Sequence, residues 1–235
     1  MTHDGYDETV AELSAPLASM TGVADTLVRL FPVAGASIST VGDFLGNETV
    51  SASDDLAARI DELQFDLGEG PCWDALATGR PVLTPDLRGS SHERWPLFSP
   101  AASREQVGAL FAFPMIVGHL RIGAIDLYSG APTELEPQHA RQAARLAGLV
   151  GQNILRLSVI EANNDSGGES KHSRRTIHQA TGMLIAQLDL SAEEAGLVLQ
   201  GHAFAAGRSM MSVADDILAG RLSFHAGPDG IEERG

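Results

Sequence analysis

The spacing of apolar residues divides the chain into a front part with mixed helix and strand patterns and a back part with helical patterns alone. Apolar side chains three or four residues apart predict helices at about 7–30, 55–64, 71–77 and 136–160. Short alternating or continuous apolar runs predict strands at about 36–41, 49–52, 81–84, 108–116 and 120–128. Helices before and after an antiparallel sheet indicate an α+β fold for the front part.

The back part has the pattern of three short helices with clear start and stop signals. The first is predicted from about Arg174 to Leu188. The second begins at Ser191-Ala192-Glu193-Glu194, which has the sequence of a capping box, and ends at Gly207. The third is predicted over about 212–218. Together these segments indicate an all-α three-helix bundle.

A polar segment rich in Gly, Ser and Asn separates the two parts and is free of apolar periodicity. Such a composition is typical of a flexible linker. We therefore predict a first domain at 1–160, a linker at 161–171, a bundle at 172–225 and a disordered tail at 226–235.

In the predicted helix at 136–160, apolar residues and one Asn recur at alternating steps of three and four residues and form a stripe along the helix, here called the seam. Its central members are Leu146, Val150, Asn153 and Leu157. One interpretation is a homodimer through this helix, because a single Asn in such a seam fixes the register of two strands. The other interpretation is that the same face packs on the sheet of its own domain.

Charge is distributed unevenly, which affects the kind of partner that can be expected. The net charge is −15, and residues 1–169 account for −13 of it, with 10 Arg against 23 acidic residues. Residues 170–225 are neutral overall. A strongly basic, non-specific nucleic-acid binder is therefore excluded, although a locally basic edge remains possible in the back part.

The back part resembles the ANTAR domain, a family named after transcription antitermination regulators. The resemblance lies in Ile177–Leu184, Leu190–Ala195, Leu199–Ala203 and Val213–Ala214, in family order and spacing over about 55 residues. One departure is Thr181, where many members of the family have Lys. The resemblance implies an RNA-binding module that acts as a dimer on tandem hairpin loops in nascent transcripts.

The family places its RNA surface on the first helix of the bundle and the turn after it. Arginine planes stack on unpaired bases and pair with phosphates, and a Gln side chain reads a base edge. A glycine permits close approach of the backbone, or alternatively tight helix packing. The RNA-binding residues that the resemblance implies are Arg174, Arg175, His178, Gln179, Thr181, Gly182 and Arg208.

The front part resembles the GAF fold, a sensory domain with a six-strand-like antiparallel sheet and a ligand cleft. The resemblance lies in Leu67–Val82 and in the hairpin that ends at Gly123–Tyr128. The first block is similar to that of actinobacterial proteins that join a GAF domain to an ANTAR domain. The candidate pocket for an unidentified small-molecule effector consists of Cys72, Trp73, Trp95, Phe111 and Phe113.

Several other classes of function are weighed against this one. A GAF-type reductase of oxidised methionine needs several cysteines, whereas Cys72 is the only one here, so no enzyme is predicted. The eight His residues show no metal-binding spacing, and neither a metal nor a cofactor is expected. The acidic start and the lack of a long apolar run predict a cytoplasmic protein without a membrane segment. The main alternative is a ligand- or protein-binding dimerisation module that lacks RNA affinity.

Overall fold

Two compact units form in the computed structural model, which describes residues 3–41, 45, 47–89, 93–164, 175–227 and 230–234. The front unit lies within Met1–His172 and the back unit within Ser173–Gly235. The predicted linker at 161–171 is helical up to Asn164, and its remaining residues lie outside the described part of the chain. Each unit buries apolar residues of its own and is described by itself.

The front unit has an α+β architecture, which confirms the fold class that the apolar pattern predicts. Its described helices are α1 (His3–Ser14), α2 (Val23–Leu30), α3 (Asp55–Leu67), α4 (Pro71–Thr78), α5 (Phe98–Arg104) and α6 (Pro137–Asn164). Its described strands are β1 (Gly35–Thr40), β2 (Glu48–Ala52), β3 (Val82–Thr84), β4 (Ala109–Val117) and β5 (Leu120–Ser129).

The single long helix predicted at 7–30 is wrong, because the structure breaks it into α1 and α2. The break follows from Pro16, which disfavours a helical conformation in the residue before it and has no N–H to donate. Gly22 then takes a left-handed conformation, with φ of 77°, directly before α2 begins. The apolar residues of both segments still face one core, so the periodicity is real although the helix is not continuous.

A five-stranded sheet in the order β2-β1-β5-β4-β3 forms the centre of the front unit, and all neighbouring strands are antiparallel. This is one strand fewer, among the described residues, than the six that the resemblance implies. Helices α1, α2 and α6 cover one side, here called the α6 face. Helices α3, α4 and α5 cover the other side, here called the α4 face.

The seam on α6 packs inside its own unit rather than against a second chain. Leu146 and Val150 are fully buried in the core of the α6 face, and Leu157 packs against the same core. Asn153 is only 5% exposed. The prediction that Leu146, Val150 and Asn153 form a dimer contact is therefore wrong, since the chain's own sheet and α1 already cover them.

Asn153 fixes the end of α1 and the segment that follows it. Its Nδ2 donates to the carbonyl oxygen of Leu13 at 2.7 Å, and its Oδ1 accepts from the backbone N–H of Leu17 at 3.0 Å. A buried amide needs such partners, because an unmade hydrogen bond costs about 1–3 kcal/mol. Asn153, the single polar residue of the seam, therefore fixes the position of α1 relative to α6 within one chain.

The back unit contains three helices, as the sequence predicts, and a hairpin that it does not predict. The helices are α7 (Arg175–Leu188), α8 (Ala192–Ala206) and α9 (Met210–Leu218). The predicted capping box is present, with Ser191 and Glu194 bonded reciprocally. These hydrogen bonds from Ser191 also hold the pKa of Glu194 below its usual range. Gly207 ends α8 in a left-handed conformation, as expected.

A β-hairpin follows the bundle, where the sequence analysis placed the end of the domain and a disordered tail. Strands β6 (Ser223–Gly227) and β7 (Gly230–Arg234) are paired antiparallel. Phe224 is buried, its backbone N–H donates to Gln187 Oε1 at 3.0 Å, and its ring meets His202 edge-on at 5.2 Å. The tail prediction is therefore wrong for the described residues, because β6 packs against α7.

Replacing Phe224 by Ala tests whether the hairpin belongs to the folded back unit. We expect protection from amide exchange in α7 to fall by about 3 kcal/mol, the cost of deleting a buried aromatic ring. Hydrogen-exchange mass spectrometry of the full chain measures this. Ile231→Ala serves as the control, because that side chain on the opposite strand is 47% exposed. Equal protection in Phe224→Ala and the parent chain would contradict this role.

Candidate nucleic-acid interface and sensor site

One face of α7 is open to solvent, and it carries several of the predicted RNA-binding residues. His178, Gln179 and Gly182 are exposed, whereas Ile177 and Ala180 on the opposite side are buried. Steps of one, three and four residues place the exposed positions on one side of a helix. Arg175 is the first residue of α7, but its side chain, like all of Arg174, lies outside the described part of the chain.

Thr181 is half-buried beside this open face and uses its hydroxyl within the helix. Its Oγ1 donates to the backbone carbonyl oxygen of Ile177 at 2.8 Å. The hydroxyl proton is therefore engaged in the described conformation and is not offered to a nucleic acid. The predicted RNA contact of Thr181 stays a prediction, and in the described conformation its hydroxyl is available only as an acceptor.

Gly182 lies at the middle of the open face and contacts no neighbouring element. A Cβ built on this residue meets nothing within 4 Å. The alternative explanation from sequence, tight packing against another helix, is therefore wrong. Glycine in a helix interior costs about 0.5–1 kcal/mol relative to Ala, so the folded back unit gains nothing from it. Close approach of a ligand to the backbone at Gly182 stays a prediction.

Gly182→Ala is expected to have opposite effects on stability and on binding. The added methyl should raise protection in α7 by about 0.5–1 kcal/mol and weaken RNA binding several-fold, because it blocks the backbone. Gly196→Ala is the matched control, since a Cβ there also meets nothing within 4 Å but lies on α8. Hydrogen exchange and fluorescence anisotropy measure the two effects. Unchanged RNA affinity in Gly182→Ala would show that RNA does not approach the backbone closely at this glycine.

Arg208 is exposed and makes hydrogen bonds within the bundle through Nη2, and its predicted contact with RNA stays a prediction. Its Nη2 donates to the Ser212 carbonyl oxygen at 3.0 Å and to Asp216 Oδ2 at 2.6 Å. Arg221 donates to the other carboxylate oxygen of Asp216 at 2.7 Å. The two guanidinium groups hold the pKa of Asp216 below its usual range. Arg208 therefore ties the end of α8 to α9.

Arg221 is a basic residue that sequence analysis did not single out. Its side chain is 63% exposed, and the cluster of Arg208, Arg221 and Asp216 carries a net charge of +1. The cluster borders an open cleft of about 490 Å³ next to His202. No sequence pattern indicates this ion pair. Asp216 lies on α9 and Arg221 follows the end of that helix, so the two side chains meet across the turn and not along one helix face.

The five residues predicted to line a pocket in the front unit do not share one cleft. Phe111 and Phe113 point to the α6 face and are fully buried there. Trp95 is buried in the core of the α4 face, and Cys72 packs with Leu76 and Ala124. The sheet therefore separates the two phenylalanines from the other three residues. The pocket prediction is wrong as a set, because Phe111 and Phe113 of β4 face one side of the sheet, whereas the other three residues belong to segments that cover the opposite side.

Cys72 and Trp73 have structural roles around Gln64 of α3. The backbone N–H of Cys72 donates to Gln64 Oε1 at 2.8 Å. Trp73 Nε1 donates to the Gln64 carbonyl oxygen at 2.6 Å, and its ring stacks on Phe65. The thiol of Cys72 is buried. These contacts join the start of α4 to the end of α3.

The acidic residues of the Leu67–Val82 block hold the segment that leads into α5. Glu69 Oε1 accepts from the backbone N–H groups of Leu97 and Phe98 at 2.5 and 2.6 Å, at the helix start. Asp74 Oδ2 accepts from Trp95 Nε1 at 3.1 Å and pairs with Arg94 at 2.6 Å. The block that carries the resemblance therefore organises the α4 face.

A buried carboxyl on β5 is the most unusual group in the front unit. Asp126 is 2% exposed, and its Oδ2 accepts from Gln64 Nε2 at 2.5 Å. Its Oδ1 is buried with no hydrogen-bond partner among the described residues. Burial, followed by the charge of nearby Asp61, raises the pKa of Asp126 to about 8, although the Gln64 hydrogen bond lowers it. Asp126 is therefore largely protonated at neutral pH.

The described part of the chain contains neither a metal-binding cluster nor a membrane-spanning helix. No group of three or more His, Cys, Asp or Glu residues there is placed to hold a metal ion. None of the described helices is both long enough and apolar enough to cross a membrane.

The order of a sensor-like α+β unit and a small helical module matches two known families. Residues 18–155 match the sequence model of the GAF domain, and the chain belongs to that family. Residues 169–218 match the model of the ANTAR domain. A GAF domain is a sensory domain, and an ANTAR domain is an RNA-binding antitermination module. This is a sensory and regulatory architecture.

Solved structures agree with the fold of the front unit. The chain is similar to the GAF domain of an Acinetobacter phosphoenolpyruvate-protein phosphotransferase, with a TM-score of 0.52 and 11% identity over 68% of this chain and 98% of that one. It is also similar to the chromophore-binding domain of an unusual bacteriophytochrome from R. palustris, with a TM-score of 0.50 and 10% identity over 67% and 62%. At such identities the likeness concerns the fold alone. No curated protein matches the chain significantly.

Proposed function

We propose that the chain binds hairpin loops in nascent transcripts through the open face of α7 and thereby promotes antitermination. The observation that carries this proposal is the exposed surface formed by His178, Gln179 and Gly182, directly after the Arg174-Arg175 pair in sequence. It combines hydrogen-bonding side chains with open access to the backbone. The match of this segment to the ANTAR domain supports the same function.

Hairpin loops suit this surface better than duplex RNA does. Sequence-specific recognition of RNA targets unpaired bases, which are stacked and read at their edges. The Gln179 amide both donates and accepts, and His178 offers a further ring. Because residues 170–225 are neutral overall, binding depends on a few placed contacts and not on bulk attraction to phosphate.

The front unit supplies the regulatory half of the proposal. As a GAF domain it is a sensory unit, and we propose that an unidentified small-molecule effector changes RNA binding by the back unit. The aromatic set predicted for that effector is divided by the sheet, so the five residues do not form one binding site for it. We also propose that the chain is a cytoplasmic homodimer. We propose further that it is a regulator of the actinobacterial type that its sequence resembles.

Fluorescence anisotropy with a tandem-hairpin leader RNA tests RNA binding directly. The full chain is expected to bind this RNA in a salt-sensitive manner, and to bind an unstructured RNA of equal length and composition more weakly by at least about tenfold. Equal affinity for both RNAs would contradict loop recognition. Absence of salt-sensitive binding, with and without a cell metabolite extract, would contradict the RNA function altogether.

A ligand- or protein-binding dimerisation module without RNA affinity is the second candidate. Two observations favour this candidate, because both engage groups that would otherwise be free to contact RNA. The Thr181 hydroxyl donates to a backbone carbonyl oxygen within α7, and Arg208 donates to Asp216. A methionine sulfoxide reductase is a weaker candidate, because the single cysteine is buried. The anisotropy experiment separates the first two candidates, since the dimerisation module predicts no RNA binding under any condition.

A further inference from the structure

Helix α8 is apolar on two opposite faces, although only one of them packs in the bundle. Ala195, Leu199 and Ala203 are buried against α7 and α9. Leu197 and Phe204 lie on the other side and are 59% and 60% exposed. No charged residue occurs between positions 195 and 206. A surface helix of a small bundle normally has one apolar stripe and a polar outer face, whereas the outer face of α8 is apolar and exposed and is not covered by any element of the described part of the chain.

Leu197, Gly201 and Phe204 form a continuous stripe along this outer face. Their spacing of four and three residues places them one above another over two turns. A Cβ on Gly201 meets nothing within 4 Å, so the glycine leaves a gap between the two large side chains. The gap is wide enough for a second helix to cross closely, and the flanking side chains can pack on both sides of it.

We propose that this stripe pairs with the same stripe of a second copy, in an antiparallel arrangement about a two-fold axis near Gly201. Such an arrangement places Leu197 of one copy against Phe204 of the other, twice. A two-fold contact uses one surface on both subunits, so the stripe must complement itself when reversed. It does so, because one large apolar residue lies on each side of the glycine.

Charge at the two ends of α8 supports the antiparallel direction. The first turn carries the exposed Glu193 together with Glu194. The C-terminal end adjoins the cluster of Arg208, Arg221 and Asp216, with a net charge of +1. Antiparallel pairing brings the acidic end of each helix to the basic end of the other, and it also aligns the helix dipoles favourably. Parallel pairing would bring like charges together.

RNA is the less suitable occupant of the same stripe. The outer face begins with Glu193, and it presents no cation between positions 195 and 206. A stacking platform for single-stranded RNA normally combines aromatic side chains with a basic groove along the backbone. The pairing of α8 is independent of the proposed RNA function, and it leaves the open face of α7 on each copy uninvolved.

Analytical ultracentrifugation of the full chain without RNA tests the pairing. A contact along one helix of 15 residues, about 22 Å long, is small, so we expect a reversible dimer with concentration-dependent sedimentation. Leu197→Glu and Phe204→Glu should each raise the dissociation constant at least about tenfold, because they bury a carboxylate at the centre of the contact. Hydrogen exchange in α8 confirms that the variants stay folded.

Val159→Glu is the matched control, because Val159 is an apolar residue on α6 that is 50% exposed. It should leave the dimer unchanged. Gly201→Cys in a Cys72→Ala background should form an intermolecular disulfide under oxidising conditions, whereas Gly182→Cys on α7 should not. Mixing Leu197→Cys with Phe204→Cys chains should give mixed disulfides in preference to either self-pair, because antiparallel helices separate identical positions.

Three results would overturn the pairing. The first is a monomer at high micromolar concentration. The second is a dimer that persists in Leu197→Glu and dissociates in Val159→Glu, which would assign it to α6. The third is loss of RNA binding in Phe204→Glu with unchanged self-association, which would make the stripe an RNA surface. Failure of the proposed RNA function alone leaves sedimentation unaffected, so the two failures are distinguishable.

Discussion

Asp126→Asn is expected to flatten the pH dependence of the stability of the front unit. The pKa of Asp126 is raised to about 8 in the folded chain from 3.8, so the folded state holds a proton that the unfolded state loses. The stability that this group contributes is fully present below about pH 4 and is lost as pH rises towards 8. Its slope reaches about 1.4 kcal/mol per pH unit.

The asparagine variant keeps a neutral group of the same shape, and its amide oxygen can still accept the hydrogen bond from Gln64. The variant should therefore be more stable than the parent chain above about pH 7, and nearly equal to it near pH 4. Chemical denaturation at several pH values measures the difference. Asp25→Asn at an exposed position controls for the loss of one acidic group. Parallel curves for Asp126→Asn and the parent chain would contradict a protonated Asp126.

The double variant Arg174→Ala/Arg175→Ala is expected to lose most of its affinity for hairpin RNA. Two cations directly before the open face of α7 are removed, and each lost phosphate contact should reduce the salt slope by about 1. We expect affinity to fall by about tenfold to a hundredfold, and thermal melting to stay nearly unchanged. Anisotropy titrations at several salt concentrations measure both the affinity and the slope.

Arg141→Ala/Arg145→Ala is the matched control for this variant, because it removes the same charge from exposed positions of α6. It should alter RNA binding by less than about twofold, since distant surface charges are screened at physiological salt. An equal loss in both double variants would mean that only net charge matters. A matching loss of thermal stability in Arg174→Ala/Arg175→Ala would mean that these arginines are structural.

Periodicity in the sequence predicts most of the secondary structure, but it does not specify which surface the apolar face of each helix or strand packs against. The seam on α6 is one example, because the same spacing suits a dimer and an intramolecular core. In the structure the seam packs in the core of its own unit, and Asn153 forms hydrogen bonds with Leu13 and Leu17 of the same chain. Pattern alone does not contain that information, because the partner groups are more than 130 residues away.

The candidate pocket was missed for a related reason. Phe111, Phe113 and Trp95 were grouped by residue type, although the two phenylalanines face one side of the sheet and Trp95 lies in a segment that covers the other side. Asp126 and Gln64 carry the more distinctive chemistry, and they meet only when β5 and α3 are packed together. A polar residue within the apolar run of β5 was the one available signal.

The exposure of the predicted RNA-binding residues differs along the back unit, and their contact with RNA stays a prediction. His178, Gln179 and Gly182 are exposed together on α7. Thr181 and Arg208 each make hydrogen bonds within the bundle that the sequence analysis did not predict. Such local bonds depend on rotamers and on the turn after α8, neither of which the sequence pattern specifies.

The central claim is that the chain promotes antitermination by holding hairpin loops on α7. Single-round transcription through a leader with tandem hairpins and a terminator tests it most directly. Adding the full chain should increase the fraction of read-through transcripts, and the Arg174→Ala/Arg175→Ala variant should not. Read-through that is the same with the parent chain, with the double variant and with no protein would contradict the account.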